Sequence, residues 1–107
     1  MVEIIVTTGN EIPDKKVAKI LGVVKGNTVR TRNIGRDIGA GLKSMIGGEV
    51  KTYTDMIKNS RDEAYNRMVN EAIAMKADAI IAVRFTTSMV IKGASEMLAY
   101  GTAVKLK

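Results

Sequence analysis

Two long apolar stretches near the C-terminal end, DAIIAVRFTTSMVI (Asp78 to Ile91) and SEMLAYGTAVKL (Ser95 to Leu106), constrain the fold most. They read as two strands joined by a tight turn around Gly93, each far longer than the usual five or six residues. In the first, Ile81, Val83, Phe85, Met89 and Ile91 alternate with Arg84, Thr86 and Ser88. In the second, Leu98, Tyr100, Val104 and Leu106 oppose Ala99, Gly101 and Ala103. The small-residue side admits close approach by a helix or another backbone.

A long helix is the second element. Thr52-x-x-Asp55 resembles a capping box, and the pattern from Asp55 to Lys76 predicts a helix about 33 Å long. Ile57, Ala64, Tyr65, Met68, Ala72 and Met75 form its apolar face, while Lys58, Asp62, Asn66, Arg67 and Glu71 are polar. Glu63 precedes Arg67 by four residues, the favourable order for a surface ion pair. One such helix cannot cover both faces of two long strands, so a second helix or another subunit must cover the rest. Self-association is the expectation.

The N-terminal third reads as a strand over Val2 to Thr7, a turn from Asn10 to Lys15 and a strand over Val17 to Val24. Gly26-Asn27 offers a turn, with Thr28 to Arg32 extended beyond it. Alternatively, Gly22 and Gly26 are kinks in one long strand.

Between these parts lies NIGRDIGAGLKSMIGG, Asn33 to Gly48, with five of the ten glycines. Ile34, Ile38, Leu42 and Ile46 recur every four residues, which predicts a short helix capped by Asn33 and ended by Gly47-Gly48. The phosphate-loop spacing fails because Ala40 stands five residues after Gly35 and Ile46 five after Gly41. The dinucleotide fingerprint fails at Ser44. Gly35 and Gly39 are spaced for close helix contact, but the segment is too short and too charged to span a membrane. Its glycines are read as a close-packing surface. Arg36 and Lys43 near the Asn33 amides remain candidates for an anion, although Asp37 occupies the same positive helix end.

Composition removes several chemistries. With neither cysteine nor histidine, there is no disulfide, thiolate, imidazole base or imidazole ligand. The acidic residues Asp37, Glu49, Asp55 and Asp78 fall on separate elements, so no carboxylate pair is marked for acid–base work. No stretch approaches the length of a membrane span and the first residues do not form a signal peptide, so a cytoplasmic protein is expected. The net charge is +6, concentrated between Lys15 and Lys43, where eight basic residues face one acidic one, Asp37. Such a segment attracts phosphate or nucleic acid, or is simply a solvated surface. The seven methionines read as core fillers rather than copper ligands.

Taken together, NIGRDIGAGLKSMIGGE, the following YTDMI and SRDEA, and the closing ADAIIAVRF and AYGTAVKL resemble the YbjQ family, small bacterial and archaeal proteins sometimes labelled heavy-metal-binding. LGVV-x-G at 21–26 extends the resemblance to nearly the whole chain. It implies an α+β sandwich similar to the dodecin subunit, assembled as a ring-like homopentamer. The expected architecture is thus one domain over 1–107, an antiparallel sheet with a long C-terminal hairpin packed on one long and one short helix. By position, Asn33, Arg36, Asp37, Gly47, Gly48, Tyr53, Arg61 and Gly101 match the family pattern, which carries no catalytic role. The family usually has glycine at the end of the long helix, where this chain has Lys76.

Candidate ligand or interface residues are therefore Asn33, Arg36, Asp37, Lys43, Tyr53 and Arg61, and the close-packing candidates are Gly35, Gly39, Gly47, Gly48 and Gly101. The label implies a metal, but the available oxygen donors suit hard ions better than heavy metals. The expected function is a non-enzymatic homo-oligomer, a pentamer by resemblance, holding a small ligand or metal ion at subunit contacts. The alternatives are phosphate or nucleic-acid binding through residues 15–43, and an enzyme with an interface site.

Overall fold

The computed structural model describes residues 3–31, 51–91 and 94–107. In chain order these form β1 (Ile5–Val6), β2 (Val17–Thr31), α1 (Lys51–Ala74), β3 (Ala79–Ile91) and β4 (Ala94–Leu106). The strands make one sheet in the order β1-β3-β4-β2. β4 runs antiparallel to both neighbours, as the alternating hairpin predicts. β1 runs parallel to β3, pairing Ile5 with Ala79 and Val6 with Ile80, so the sheet is mixed rather than wholly antiparallel. The short helix expected over Asn33 to Gly48 and the turn at Gly93 lie outside the described residues.

β2 passes unbroken through Gly26 and Asn27, which pair with Ala99 and Leu98. The turn expected there is absent and the single-strand alternative is correct. Gly26 serves the helix instead: a Cβ at that position would overlap the Ala64 carbonyl oxygen and the Met68 amide nitrogen. Gly22 has φ 141° beside a register shift between Ile20 and Gly22, a backbone position that disfavours side chains.

α1 lies chiefly on β2 and β4 and scarcely reaches β3. Its buried seam is Ser60, Ala64, Met68 and Ala72, spaced by four residues so that they stack on one face. Opposite stand Val24, Thr28, Ala99 and Ala103, with Ile80 and Val83 extending the core from β3. Ile57 and Met75, assigned to the apolar face on sequence, are only partly covered. Ser60 was not in the expected face. It is buried because the Thr28 hydroxyl lies 2.6 Å from its Oγ and donates to its carbonyl oxygen at 3.1 Å. That pairing satisfies polar groups whose burial would otherwise cost about 1–3 kcal/mol.

The helix is longer at its start and shorter at its end than expected. Lys51 is already helical, so Thr52 lies inside the helix rather than at its cap. At the other end Lys76 adopts φ 62°, its N–H donates to the Ile73 carbonyl oxygen and the Ala77 N–H to that of Ala72. This is the double closure of a Schellman motif, with buried Ala77 against buried Ala72 as its apolar contact. Lys76 thus takes the left-handed position that glycine usually occupies.

A bulge reorganises β3. Ile81 pairs with Thr102 and Arg84 with Tyr100, leaving two β3 residues opposite Gly101. Ala82 absorbs the extra step with φ 54°. The expected face running Ile81, Val83, Phe85 is therefore interrupted. Ile80, fully buried, joins Val83 on the helix side, whereas Ile81 is only partly buried. The bulge is held from outside, since Ala82 N–H donates to Gly9 O at 2.8 Å and Val83 N–H to Thr7 O at 3.0 Å.

The molecule measures 55 × 27 × 25 Å, with a radius of gyration of 17.2 Å. A compact domain of this length would have a radius of gyration of about 13 Å. The far half of the hairpin accounts for the exposed Phe85, Met89 and Ile91.

Gly26→Ala is expected to destabilise the protein by about 3 kcal/mol or more, because backbone on the facing helix cannot yield as a side chain does. Gly9→Ala, with nothing closer than 3.5 Å to its Cβ, is the matched control and should change the thermal midpoint little. Equal midpoints for the two variants would contradict the helix seat at Gly26.

Candidate functional site

Of the residues singled out on sequence, Asn33, Gly35, Arg36, Asp37, Gly39, Lys43, Gly47 and Gly48 lie outside the described residues. Tyr53 falls on the first turn of α1 as described, and Arg61 is exposed on the same helix. Gly101 is buried at the centre of β4, where a Cβ would stand 2.7 Å from Ile80 Cγ2 and 2.9 Å from Val83 Cγ2. Nothing described brings Arg61 and Gly101 into one site. A hollow of about 910 Å³ is lined by residues 10–17, the end of the β1–β2 connection and the first residue of β2, nearly all exposed.

The base of the hairpin holds the best-organised charge. The Asp78 carboxylate accepts the Leu106 amide at 2.8 Å and Lys105 Nζ at 3.4 Å. Lys105 Nζ also donates to the Lys76 carbonyl oxygen at 3.0 Å, tying the helix end to β4. The Leu106 amide is the largest influence on the Asp78 carboxyl. Burial opposes it, and with the Lys105 hydrogen bond and the Lys105 and Lys15 charges the balance holds the carboxyl below its ordinary value. On the helix, Arg67 pairs with Glu63, the ion pair expected on sequence, and donates to the Asn27 carbonyl oxygen. Both arrangements are structural pins.

A different constellation crosses the sheet face that turns away from α1. Strand register places Lys25 beside Tyr100 and Tyr100 beside Arg84, one residue from each of three strands. The next row is Asn27, Leu98 and Thr86, followed by Val29, Glu96 and Ser88. All three members of the first row are exposed. Arg84 is held in place, its Nη1 donating to Thr8 O and Val83 O, both at 2.8 Å. No described residue accepts from its Nη2 or Nε, and none pairs with Lys25 Nζ. Glu96, the acid two rows away, accepts Asn27 Nδ2 at 3.1 Å. Two cations with no described carboxylate partner thus stand on the strands either side of a tyrosine, an electropositive row with an aromatic centre.

Sequence reasoning missed this row because its members sit on three strands. Arg84, Thr86 and Ser88 were legible as one polar face, but Tyr100 read as part of an apolar one. Lys25 was one lysine in a basic stretch. Only the register joins them.

The donor set does not fit a heavy-metal centre. The chain has no cysteine or histidine, and among the described residues no three carboxylates converge. Of the soft thioether donors, Met68 of α1 is fully buried in the core, while the exposed Met75 follows α1 and the exposed Met89 lies on β3. Among the described residues, no helix is long and apolar enough to cross a membrane.

Among the described residues, one helix over a four-stranded mixed sheet defines a small α+β domain, and a solved structure has a similar fold. A crystal structure of a protein with unknown function in the DUF74 family, from Pediococcus pentosaceus, superposes with TM-score 0.64 at 16% identity. The match covers 97% of this chain and 98% of that one. Residues 4–107 match the YbjQ family, described as "putative heavy-metal-binding", and the chain belongs to that family. A UPF0145 protein of Archaeoglobus fulgidus is 56% identical over 105 residues, covering 98% of this chain and 97% of the relative. Another from Methanoculleus marisnigri is 58% identical over 102 residues, 95% of each chain. One from Vibrio parahaemolyticus is 54% identical, covering 95% of this chain and 97% of that one.

The lowered Asp78 carboxyl has a signed consequence. A depressed carboxylate adds stability above its unfolded value of about 3.9, and that stability is lost as pH falls through the folded value. Asp78→Asn should therefore lower the thermal midpoint at neutral pH, with the gap to the parent closing as pH drops below about 4. A gap unchanged down to pH 2 would show that Asp78 acts by shape alone.

Proposed function

We propose that this protein is a non-enzymatic homo-oligomer, a pentamer in the reading carried from family resemblance, that holds a small ligand or ion at contacts between its copies. The observation that carries the assembly is the pair of strand edges on the one sheet. Among the described strands β2, fifteen residues long, is the last on one side. On the other side, two-residue β1 pairs only with the start of β3.

The β3 edge has a defined chemistry. Val83 turns its N–H outward to Thr7, so by alternation Phe85, Thr87 and Met89 present their backbone N–H and C=O to the same side. No described strand pairs with them there. A bare edge of this length is a template for another strand. Pairing β3 of one copy with β2 of the next is a head-to-tail contact, which generates a ring when the rotation closes. Exposed Phe85, Met89 and Ile91 supply apolar area beside that edge.

The ligand reading rests on Lys25 and Arg84, exposed cations with no described carboxylate partner. The same donor chemistry favours an anion or an oxygen-ligated ion over a soft heavy metal.

Light scattering coupled to size exclusion should give five times the chain mass at micromolar concentration. Thr87→Pro removes one outward N–H and spares the ladder to β4, so it should lower the mass while leaving the far-ultraviolet circular dichroism intact. A monomeric parent protein overturns the reading, as does a Thr87→Pro variant of unchanged mass.

A further inference from the structure

We propose that the sheet face opposite α1 binds single-stranded nucleic acid, with Tyr100 as the stacking platform and Lys25 and Arg84 as phosphate contacts on either side. The three residues come from β2, β4 and β3 of one copy, so no second copy is needed to complete the row.

Three observations carry it. The first is register: strands lie about 4.8 Å apart, so the Lys25 and Arg84 backbones stand about 10 Å apart with Tyr100 midway. Their long side chains can bracket one nucleotide whose base lies on the ring and whose two flanking phosphates meet one cation each.

The second is the contrast in pairing. Arg67 and Lys105 each have a carboxylate partner, Glu63 and Asp78. On the opposite face Lys25 has no described partner, and Arg84 offers Nη2 and Nε while its Nη1 is anchored to Thr8 O and Val83 O. An arginine fixed by one nitrogen and open at the others loses less freedom on binding a phosphate. The third is the surrounding chemistry. Asn27, Thr86 and Ser88 supply neutral hydrogen-bonding groups in adjoining rows, and Asn27 holds the nearby acid Glu96. A net charge of +6 favours a polyanion over a neutral or cationic partner.

An aromatic ring between cations on an open sheet reads unstacked bases and not a duplex, whose base faces are covered. Single-stranded nucleic acid is therefore the occupant, bound with little sequence preference because every base has a face to stack.

The test is fluorescence anisotropy of a labelled oligouridylate of about a dozen nucleotides, titrated with the full chain at several salt concentrations. The parent should bind with an affinity that falls steeply with salt. Tyr100→Leu should weaken binding about 5- to 100-fold without changing the salt slope. Lys25→Ala should weaken it and lower the slope by roughly one. Lys58→Ala, an equal charge change on exposed α1, should have little effect. Size exclusion of each variant confirms an unchanged assembly, so a loss of binding is not mistaken for a loss of oligomer.

Equal effects of Lys25→Ala and Lys58→Ala would overturn the proposal. So would a duplex of the same length binding as tightly, uridine monophosphate competing as well per nucleotide, or no binding by the parent.

Discussion

The contact of the α1 backbone with Gly26 is the constraint on which the rest depends. Because that position has no side chain, the helix can settle onto β2 at Ala64 and Met68. Small residues repeat the accommodation on β4, where Ala99 and Ala103 are fully buried. A helix seated this low over β2 and β4 buries Ile80 and Val83 at the start of β3 but leaves its far half largely uncovered. The exposure of Phe85 and Met89 follows from that off-centre seat. The free β3 edge follows from the shortness of β1, and the elongated shape from the long strands.

The same seat divides the sheet into faces with different chemistry. Toward α1 the groups are apolar or mutually satisfied, as with Thr28 and Ser60. Away from it Lys25, Tyr100 and Arg84 line up without a carboxylate between them. Burial therefore consumes one face in making the fold, and the other retains its capacity for partners. This division also explains why a heavy-metal site is a poor description of the described residues. Met68 is spent in the core, the exposed Met75 and Met89 stand apart, after α1 and on β3, and the open face carries cations, which repel metal ions.

The elements were legible in the sequence where periodicity was strong. The hairpin and the long helix follow from alternation and four-residue spacing, and the small-residue side of β4 correctly marked where a helix would pack. What failed was local exception. Gly26 carries a turn signal, but its role is set by Ala64 and Met68, residues remote in sequence. Ala82 gives no hint of a bulge, because the cause lies in Thr7 and Gly9 binding the β3 edge. Ser60 read as polar surface since its partner, Thr28, sits on another element. The candidate site was less legible still, since a row across three strands exists only once register is fixed. The glycine-rich candidates from Asn33 to Gly48 lie outside the described residues.

Amide hydrogen exchange along β3, followed at high and low protein concentration, tests the account most directly. An off-centre helix and a shared sheet edge predict that Phe85, Thr87 and Met89 amides, which have no described acceptor within the chain, are protected in concentrated protein. On dilution they should lose that protection, while amides of the central strand β4 stay slow. Fast exchange of the three amides at every concentration would contradict it, because the β3 edge would then be solvated rather than joined to a second copy.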